Sequence, residues 1–327
     1  MKIVIAGAGA IGGYIGARLA QAGADVTLFA RGPHLQAMRE RGLRVEGPDG
    51  RFEVRPQVTA ALDTVGKVDV VFLGVKAHSL SDLAPRLPPM FHADTVVVST
   101  QNGIPWWYFQ QHGGEFEGLS LERVDPGEVI ASAIEPSRVI GSIAYFSTEI
   151  EAPGVIRHIE GSRLAIGEPD GTKSERCARI ARVLIAAGLR CPVTTKLRQE
   201  IWVKLLGNIS FNPISALTGA TLVRIAEHPE ASTLVRDVMT ETVAVANRLG
   251  IELPISIDQR IAGAAKVGEH KTSMLQDVEA GRPMELEAVV GASIELGERL
   301  GIPMPATRAV YACAALLNDR LALRGGR

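Results

Sequence analysis

Cysteine is scarce in this sequence, and its spacing lacks any recognisable framework. The 327 residues contain three cysteines, Cys177, Cys191 and Cys313, which are odd in number, widely separated and without a CxxC pair. This pattern argues against both a disulfide scaffold and a zinc site, and it fits the reducing cytoplasm. Long apolar runs are missing too, because no stretch approaches the roughly 18 residues that span a bilayer. The sequence therefore predicts a cytoplasmic protein without a metal site or a membrane partner.

An excess of charge of either sign is also missing. The chain has 35 Lys and Arg against 36 Asp and Glu, a formal net charge of -1, so nothing points to nucleic acid as a partner. Its 46% hydrophobic and 22% charged residues are ordinary for a globular protein. Because 327 residues exceed what one hydrophobic core usually supports, we expect two domains.

A glycine-rich loop near the start is the first feature that indicates chemistry. The apolar run from Lys2 to Ala6 is typical of a parallel strand buried on both faces. A GxGxxG pattern and then a helix pattern follow it directly, which is the context that a dinucleotide-binding loop requires. Its glycines allow a tight turn, close approach of a pyrophosphate and packing of helix on strand. The predicted cofactor-binding loop is Gly7, Ala8, Gly9, Ala10, Ile11 and Gly12.

The end of the second predicted strand favours one cofactor over another. Enzymes that bind NAD place Asp or Glu about 20 residues past the glycines to bind the ribose, whereas an arginine accommodates a 2′-phosphate. Here the strand from Asp25 to Phe29 ends in Ala30 and Arg31, with no acid nearby. The sequence therefore favours NADP(H), although a solvated arginine at the end of a strand is the alternative.

Two further predicted strands end in polar residues. Lys76 follows the run from Asp69 to Val75, and Asn102 follows the run from Thr95 to Thr100. Ligands of open α/β sheets lie beyond the carboxyl ends of the strands, so Lys76 is placed for a phosphate or the nicotinamide. The amide of Asn102 could hold the nicotinamide carboxamide or a substrate oxygen, or it could simply be a turn asparagine before glycine.

The order of predicted elements defines the fold class. A β-hairpin excursion is predicted over residues 42–54, and an antiparallel extension of the sheet edge over about 138–171. Proline and glycine divide this extension into separate predicted strands at 139–148, 154–160 and 163–168. After Thr195 the pattern is helical. We therefore predict an α/β Rossmann-type N-terminal domain over residues 1–195, followed by an all-α C-terminal domain over residues 196–327.

One predicted helix carries an unusual polar stripe. Lys204, Asn208 and Asn212 are four residues apart in an otherwise apolar stretch from Ile201 to Pro213, so they share one helix face. Asparagine is a poor helix former, and burying an amide without partners is costly. The stripe could therefore line a polar cavity, or it could be a solvated face.

Two later segments add candidate polar groups. The sequence from Thr272 to Asp277 resembles a capping box with Ser273 as N-cap, and the hydroxyl proton of Ser273 could still bind a substrate carboxylate at the helix end. Arg282 and Pro283 predict the start of another helix, in whose first turn Glu285 would lie. By itself Glu285 is expected to be a surface residue.

Together and in this order, these motifs resemble ketopantoate reductases, also called 2-dehydropantoate 2-reductases. The resemblance rests on the glycine loop with Arg31, the two strand ends, the Trp202-x-Lys204-Leu205-x-x-Asn208-x-x-x-Asn212-Pro213 helix, and the Ser273 motif with Glu285. It implies an NADPH-dependent oxidoreductase that reduces ketopantoate to pantoate, on the route to pantothenate and coenzyme A. Two alternatives stay open, a reductase of another branched or larger 2-oxo acid and a non-catalytic NADP(H)-binding regulator.

The resemblance also implies a role for each matching residue. Lys204 is then the catalytic acid, and Glu285 completes the polar site near it. Arg31 and Lys76 hold the 2′-phosphate end of the cofactor, and Asn102 lies at the nicotinamide and the substrate. The substrate-binding residues implied by the family are Asn102, Lys204, Asn208, Asn212 and Ser273.

The chain departs from the family pattern after Asn102. An aromatic segment that begins at Pro105 is followed by polar and acidic sequence to about Glu135. A loop of this length is usually functional or mobile. It could be a lid, a subunit contact, the wall of a different substrate pocket, or a loop whose aromatics anchor it to its own domain. The 2-oxo acid therefore stays open, and a homodimer is compatible with the sequence.

Overall fold

The computed structural model describes residues 1–325, which form two compact units. The first unit consists of Met1–Gln101, Trp106–Ser120 and Gly127–Leu197. The second consists of Asn102–Pro105, Leu121–Pro126 and the chain from Arg198 onward. Two short segments that come early in the chain therefore belong to the later unit. The contiguous boundary between residues 195 and 196 stays a prediction.

A mixed β-sheet forms the centre of the first unit. The strands are β1 (Lys2–Ala6), β2 (Asp25–Phe29), β3 (Leu43–Gly47), β4 (Gly50–Val54), β5 (Gln57–Thr59), β6 (Val68–Leu73), β7 (Phe91–Ser99), β8 (Val139–Ala152) and β9 (Val155–Gly167). Within the described residues their order across the sheet is β4-β3-β9-β8-β7-β6-β1-β2-β5. The neighbouring strands β2, β1, β6, β7 and β8 are parallel. Four of them, β1, β2, β6 and β7, confirm the strands predicted at residues 2–6, 25–29, 69–75 and 95–100.

The antiparallel part of the sheet differs from the prediction in two ways. The expected strands at 154–160 and 163–168 are one strand, β9, which pairs with β8 across register irregularities near Tyr145. Gly161 lies inside β9 with φ +77°, so the glycine that suggested a break in the sequence is a local distortion. The hairpin of β3 and β4 is also part of the sheet, because β3 pairs in parallel with β9.

Helices cover the first unit and make up most of the second. Those of the first unit are α1 (Ala10–Gln21), α2 (Gly32–Arg41), α3 (Leu80–Leu83), α4 (Val129–Ala133) and α5 (Glu175–Ala186). The second half of the chain contains α6 (Leu197–Thr218), α7 (Leu222–Glu227), α8 (Pro229–Arg248), α9 (Ile257–Val267), α10 (Ser273–Glu279), α11 (Ala292–Leu300) and α12 (Pro305–Gly325). A π-helical turn, Glu287–Gly291, leads directly into α11. This architecture confirms the predicted α/β domain followed by a helical domain.

Residues 1–325 lack the features of a membrane-spanning helix and of a metal centre. None of the helices there has both the length and the apolar character that crossing a membrane requires. The same part of the chain holds no group of three or more His, Cys, Asp or Glu side chains arranged to bind a metal ion.

Candidate active site

The glycine loop after β1 is shaped by contacts that exclude larger residues. Gly7 has φ +116°, and a Cβ there would stand 2.4 Å from a Val75 methyl and 2.7 Å from the Val75 nitrogen. A Cβ on Gly12 would lie 2.1 Å from the Gly7 carbonyl oxygen. At Gly9, by contrast, the nearest atom is the Gly74 oxygen at 3.7 Å. Packing therefore requires glycine at positions 7 and 12, whereas Gly9 keeps open space beside its backbone.

That open space lies at the positive end of a helix. Helix α1 begins at Ala10 directly after Gly9, and its first turn contains no acidic residue. The first N–H groups of a helix have no intrahelical partners, and together with the helix dipole they favour an anion. The loop from Gly7 to Gly12 therefore fits the pyrophosphate of a dinucleotide.

Arg31 and Lys76 lie at the same edge of the sheet as this loop. Arg31 is exposed at the N-cap of α2, just after β2, and Lys76 is half-buried just after β6. Because β2 and β6 flank β1 in parallel, their carboxyl ends lie together. Both cations therefore lie at the edge of the sheet where open α/β folds bind their ligands.

Helix α6 in the second unit carries the lysine and the two asparagines. It runs from Leu197 through Pro213 to Thr218, which confirms the predicted helix. Lys204 and Asn208 are half-buried, and Asn212 is only 7% exposed. This burial disagrees with the alternative of a solvated face, so the stripe is part of an enclosed polar region.

Asn212 reaches the helix that follows residue 272. Its Nδ2 donates a hydrogen bond to Oγ of Ser273 over 3.4 Å. The prediction that Ser273 is the N-cap is wrong, because Thr272 caps α10 and its hydroxyl accepts from the Leu275 N–H. Both residue types cap helices well, and Thr272 has the extended backbone that a cap requires. Ser273 is therefore the first helical residue, and its hydroxyl is not used as the cap.

Glu285 is held by residues from distant parts of the sequence. Nδ2 of Asn102 donates to its Oε2 over 3.2 Å, and the N–H of the preceding Met284 donates to Oδ1 of Asn318 over 2.8 Å. The expected helix start near Pro283 is wrong, because the helical backbone begins only after Glu285, at Leu286. Glu285 is half-buried and so is not the surface residue that its sequence context alone indicated.

Asn102 is itself fixed by backbone contacts with the π turn. The N–H of Ile104 donates to the Ala288 carbonyl over 2.8 Å. Gly103 has φ +86°, and a Cβ there would lie 2.1 Å from the same carbonyl oxygen. Only glycine allows this close approach, so Gly103 determines where the Asn102 amide meets Glu285.

The surroundings of Lys204 change the pKa of its side chain. Burial lowers the pKa of Lys204 from its ordinary 10.5 to about 8, while the nearby charge of Glu285 acts in the opposite direction. Loss of hydration disfavours the ammonium form, and a carboxylate favours it. Lys204 is thus protonated at neutral pH and close enough to its pKa to release a proton, as a general acid must.

The aromatic insertion is firmly packed. Trp106, Trp107, Tyr108 and Phe109 are each at most 6% exposed in the first unit. The Trp107 ring packs so closely on Gly141 of β8 that a Cβ there would lie 2.5 Å from it. Of the open interpretations, anchoring of these aromatics to their own domain agrees best with this burial.

Several residues near the site were not identified from the sequence. Arg123 and Tyr311 bond to Glu287, and Asn318 anchors Met284. Tyr311 and Asn318 are seven residues apart on α12, so they share a helix face. That spacing was a detectable signal, although nothing in the sequence relates it to Glu285.

Comparison with known proteins agrees with the geometry of both units. Residues 3–171 match the family described as ketopantoate reductase PanE/ApbA, and residues 196–318 match its C-terminal counterpart. A 2-dehydropantoate 2-reductase from Mesorhizobium japonicum is 49% identical over 100% of this chain and 99% of its own length.

Solved structures give the same result. A crystal structure from Ralstonia solanacearum MolK2, provisionally described as a ketopantoate reductase, has a TM-score of 0.94 and 38% identity over 98% of each chain. The 2-dehydropantoate 2-reductase of Geobacter metallireducens has a TM-score of 0.84 and 29% identity, covering 97% of this chain and 99% of its own. The chain belongs to the ketopantoate reductase family.

Proposed function

We propose that this protein is a cytoplasmic oxidoreductase that reduces 2-dehydropantoate to pantoate with NADPH, on the route to pantothenate and coenzyme A. The observation that carries the proposal is the half-buried Lys204 on α6, whose pKa burial lowers to about 8 while the charge of Glu285 acts in the opposite direction. A 49% identical relative is named 2-dehydropantoate 2-reductase. The substrate is a small 2-oxo acid, and neither nucleic acid nor a membrane is part of the proposal.

In this proposal the phosphate groups of the cofactor bind to the first unit. The backbone of residues 7–12 at the start of α1 binds the pyrophosphate, and Arg31 with Lys76 binds the 2′-phosphate end. Asn102 is assigned to the nicotinamide and the substrate. When bound, the reduced nicotinamide supplies the hydride that attacks the ketone carbon of the 2-oxo acid.

Lys204 acts on the ketone oxygen. As the carbonyl carbon is reduced, negative charge develops on this oxygen, and an ammonium group stabilises that charge most strongly in a site that excludes water. The same group can then donate its proton to form the alcohol. General acid catalysis of this kind typically contributes about 10²- to 10⁴-fold.

The remaining polar groups orient the reactants. Glu285 keeps Lys204 protonated, since its charge raises the pKa that burial lowers. Asn208, Asn212 and Ser273 bind the hydroxyl and carboxylate groups of the substrate, and the Asn212–Ser273 hydrogen bond holds two of these side chains together. Neutral amides and a hydroxyl provide such contacts without adding another charge near Lys204.

A panel of 2-oxo acids, assayed with both NADPH and NADH, tests the proposal. We expect the highest kcat/KM for 2-dehydropantoate with NADPH. A higher kcat/KM for another branched or larger 2-oxo acid would mean that this acid is the substrate of the same reduction. Binding of NADPH without oxidation by any oxo acid would instead support a non-catalytic regulator.

A further inference from the structure

A cluster around Glu287 connects the insertion to the segment that carries Glu285. Nη1 of Arg123 donates to Oε2 of Glu287 over 3.1 Å and to the Tyr311 hydroxyl over 2.7 Å. That hydroxyl in turn donates to Oε1 of Glu287 over 2.7 Å, and the Arg123 guanidinium lies 5.4 Å from the Tyr311 ring centroid. Both carboxylate oxygens of Glu287 therefore accept hydrogen bonds, in a pair whose side chains are partly exposed.

The backbone at Arg123 is also hydrogen-bonded, to a buried carboxylate. Glu295 on α11 accepts from the N–H of Glu122 over 3.0 Å and from the N–H of Arg123 over 2.9 Å. Glu295 is only 8% exposed and also accepts from Arg299 over 2.6 Å. A buried carboxylate with several donors is a rigid anchor. The side chain of Arg123 therefore extends to Glu287 from a backbone position that is bonded to Glu295.

Glu287 is the first residue of the π turn. Such turns have wider hydrogen-bond spacing than an α-helix, and they frequently occur at functional sites. Here the Ala292 N–H bonds to the Glu287 carbonyl five residues back, and the Ala288 carbonyl accepts from Ile104 outside the helix. The turn therefore receives contacts from Arg123 and Tyr311 at Glu287, and from the segment that carries Asn102 at Ala288.

Glu285 lies two residues before Glu287, the first residue of the π turn. Its own backbone carbonyl accepts from the Val289 N–H within the turn, over 3.3 Å. A shift of the turn would consequently move the Glu285 backbone, while Asn102 bonds to its side chain. The position of Glu285 relative to Lys204 thus depends on contacts made by a residue of the insertion.

We propose that Arg123 is a positioning residue for the proposed reductase reaction, which acts with Tyr311 through the π turn to hold Glu285 in place beside Lys204. This inference rests on the proposed function. It assigns a role to the second part of the insertion, which the family pattern did not explain. Arg123 does not contact the reacting atoms, so its effect reaches them only through Glu285.

Substitution of Arg123 by glutamine tests this role. In R123Q we expect kcat with NADPH and 2-dehydropantoate to fall by about tenfold, because small misplacements of catalytic groups are costly. The Kd for NADPH should stay within about twofold, since the cofactor loop is not touched. The basic limb of the kcat/KM profile should move to lower pH, because Glu285 would raise the pKa of Lys204 less.

The direction in which the basic limb of the kcat/KM profile moves distinguishes a positioning role of Arg123 from the loss of its charge alone. Loss of a positive charge alone would raise the pKa of Lys204, because a nearby cation disfavours the ammonium form, and the limb would move to higher pH. Y311F changes no charge, and we expect it to move the limb in the same direction as R123Q. R123K should restore part of kcat, because lysine can still bind Glu287 but lacks the planar fork of arginine.

R308Q is the matched control, since Arg308 pairs with Glu298 at the surface of the same unit. It removes the same charge and should leave kcat and the pH profile unchanged. Wild-type kcat and pH profile in R123Q, or equal changes in R123Q and R308Q, would overturn the inference while leaving the reductase intact. An inactive wild-type protein would overturn the proposed function, and this inference with it.

Discussion

The glycine loop of the first unit and the polar site of the second unit use different parts of the polypeptide. The loop offers backbone N–H groups, and its shape depends on side chains that are absent at Gly7, Gly9 and Gly12. The second site offers side chains, whose orientation depends on partners such as Asn102 and Ser273. We therefore expect the glycine loop to be disturbed most by substitutions that add side-chain atoms. The polar site should be disturbed most by substitutions that remove them.

The largest effect is expected when the charge of Lys204 is removed. In Lys204→Met we expect kcat to fall by about 10³-fold or more, because both charge stabilisation and proton donation are lost. The Kd for NADPH should stay within about twofold. At pH 7 the melting temperature should not decrease, since burial lowers the pKa of Lys204 and so disfavours its charged form in the folded state.

Calorimetry and steady-state kinetics on the same preparation check this result. The sign follows from linkage, because a lysine with a lowered folded-state pKa destabilises the fold below that pKa and ceases to do so as pH rises toward 10.5. An active Lys204→Met variant would mean that Lys204 is not the catalytic acid. Loss of activity together with loss of NADPH binding would mean that the lysine is structural or a cofactor ligand.

A smaller effect is expected at the cofactor phosphate. Arg31 is exposed at the carboxyl end of β2, so Arg31→Ala should leave the fold unchanged. We expect the Kd for NADPH to rise on the order of 10- to 100-fold, as loss of a charge-assisted hydrogen bond implies, with little change for NADH. Fluorescence titrations with both cofactors measure this, and an unchanged preference would remove Arg31 from the site.

Gly7 and Gly9, two of the three glycines of the loop, give the most closely matched comparison. Gly9→Ala should keep the wild-type melting temperature, since its Cβ has room, but weaken NADPH binding by about tenfold through lost phosphate contacts. Gly7→Ala should cost about 1–3 kcal/mol of stability because of its positive φ and its overlap with Val75. Thermal denaturation with and without NADPH tests both, and equal melting temperatures for the two variants would contradict the packing account.

The contiguous motifs could be predicted from the sequence, whereas the contacts between distant residues could not. The loop is contiguous, so strand, glycines and helix could be recognised together, and the period of four along α6 placed Lys204 with Asn208 and Asn212. The partnership of Asn102 with Glu285 joins positions 183 residues apart, and no local pattern encodes it.

The errors also have local physical causes. Thr272 and Ser273 are adjacent and both suit an N-cap, so composition could not distinguish them. Gly161 suggested the end of a strand because glycine is common in turns, yet the pairing of β8 with β9 keeps the strand continuous. The place of the 42–54 hairpin beside β9 depends on a long-range pairing that its own sequence does not contain.

The pH dependence of kcat/KM for 2-dehydropantoate with NADPH tests most directly whether Lys204 is the proton donor. This parameter reports the ionisation of the free enzyme. With the pKa of Lys204 at about 8, kcat/KM should be constant near neutrality and fall by about tenfold per pH unit above that value. In Glu285→Gln the break should move to lower pH, because the carboxylate no longer favours the ammonium. A profile that stays flat to about pH 10 would contradict the assignment of Lys204 as the acid.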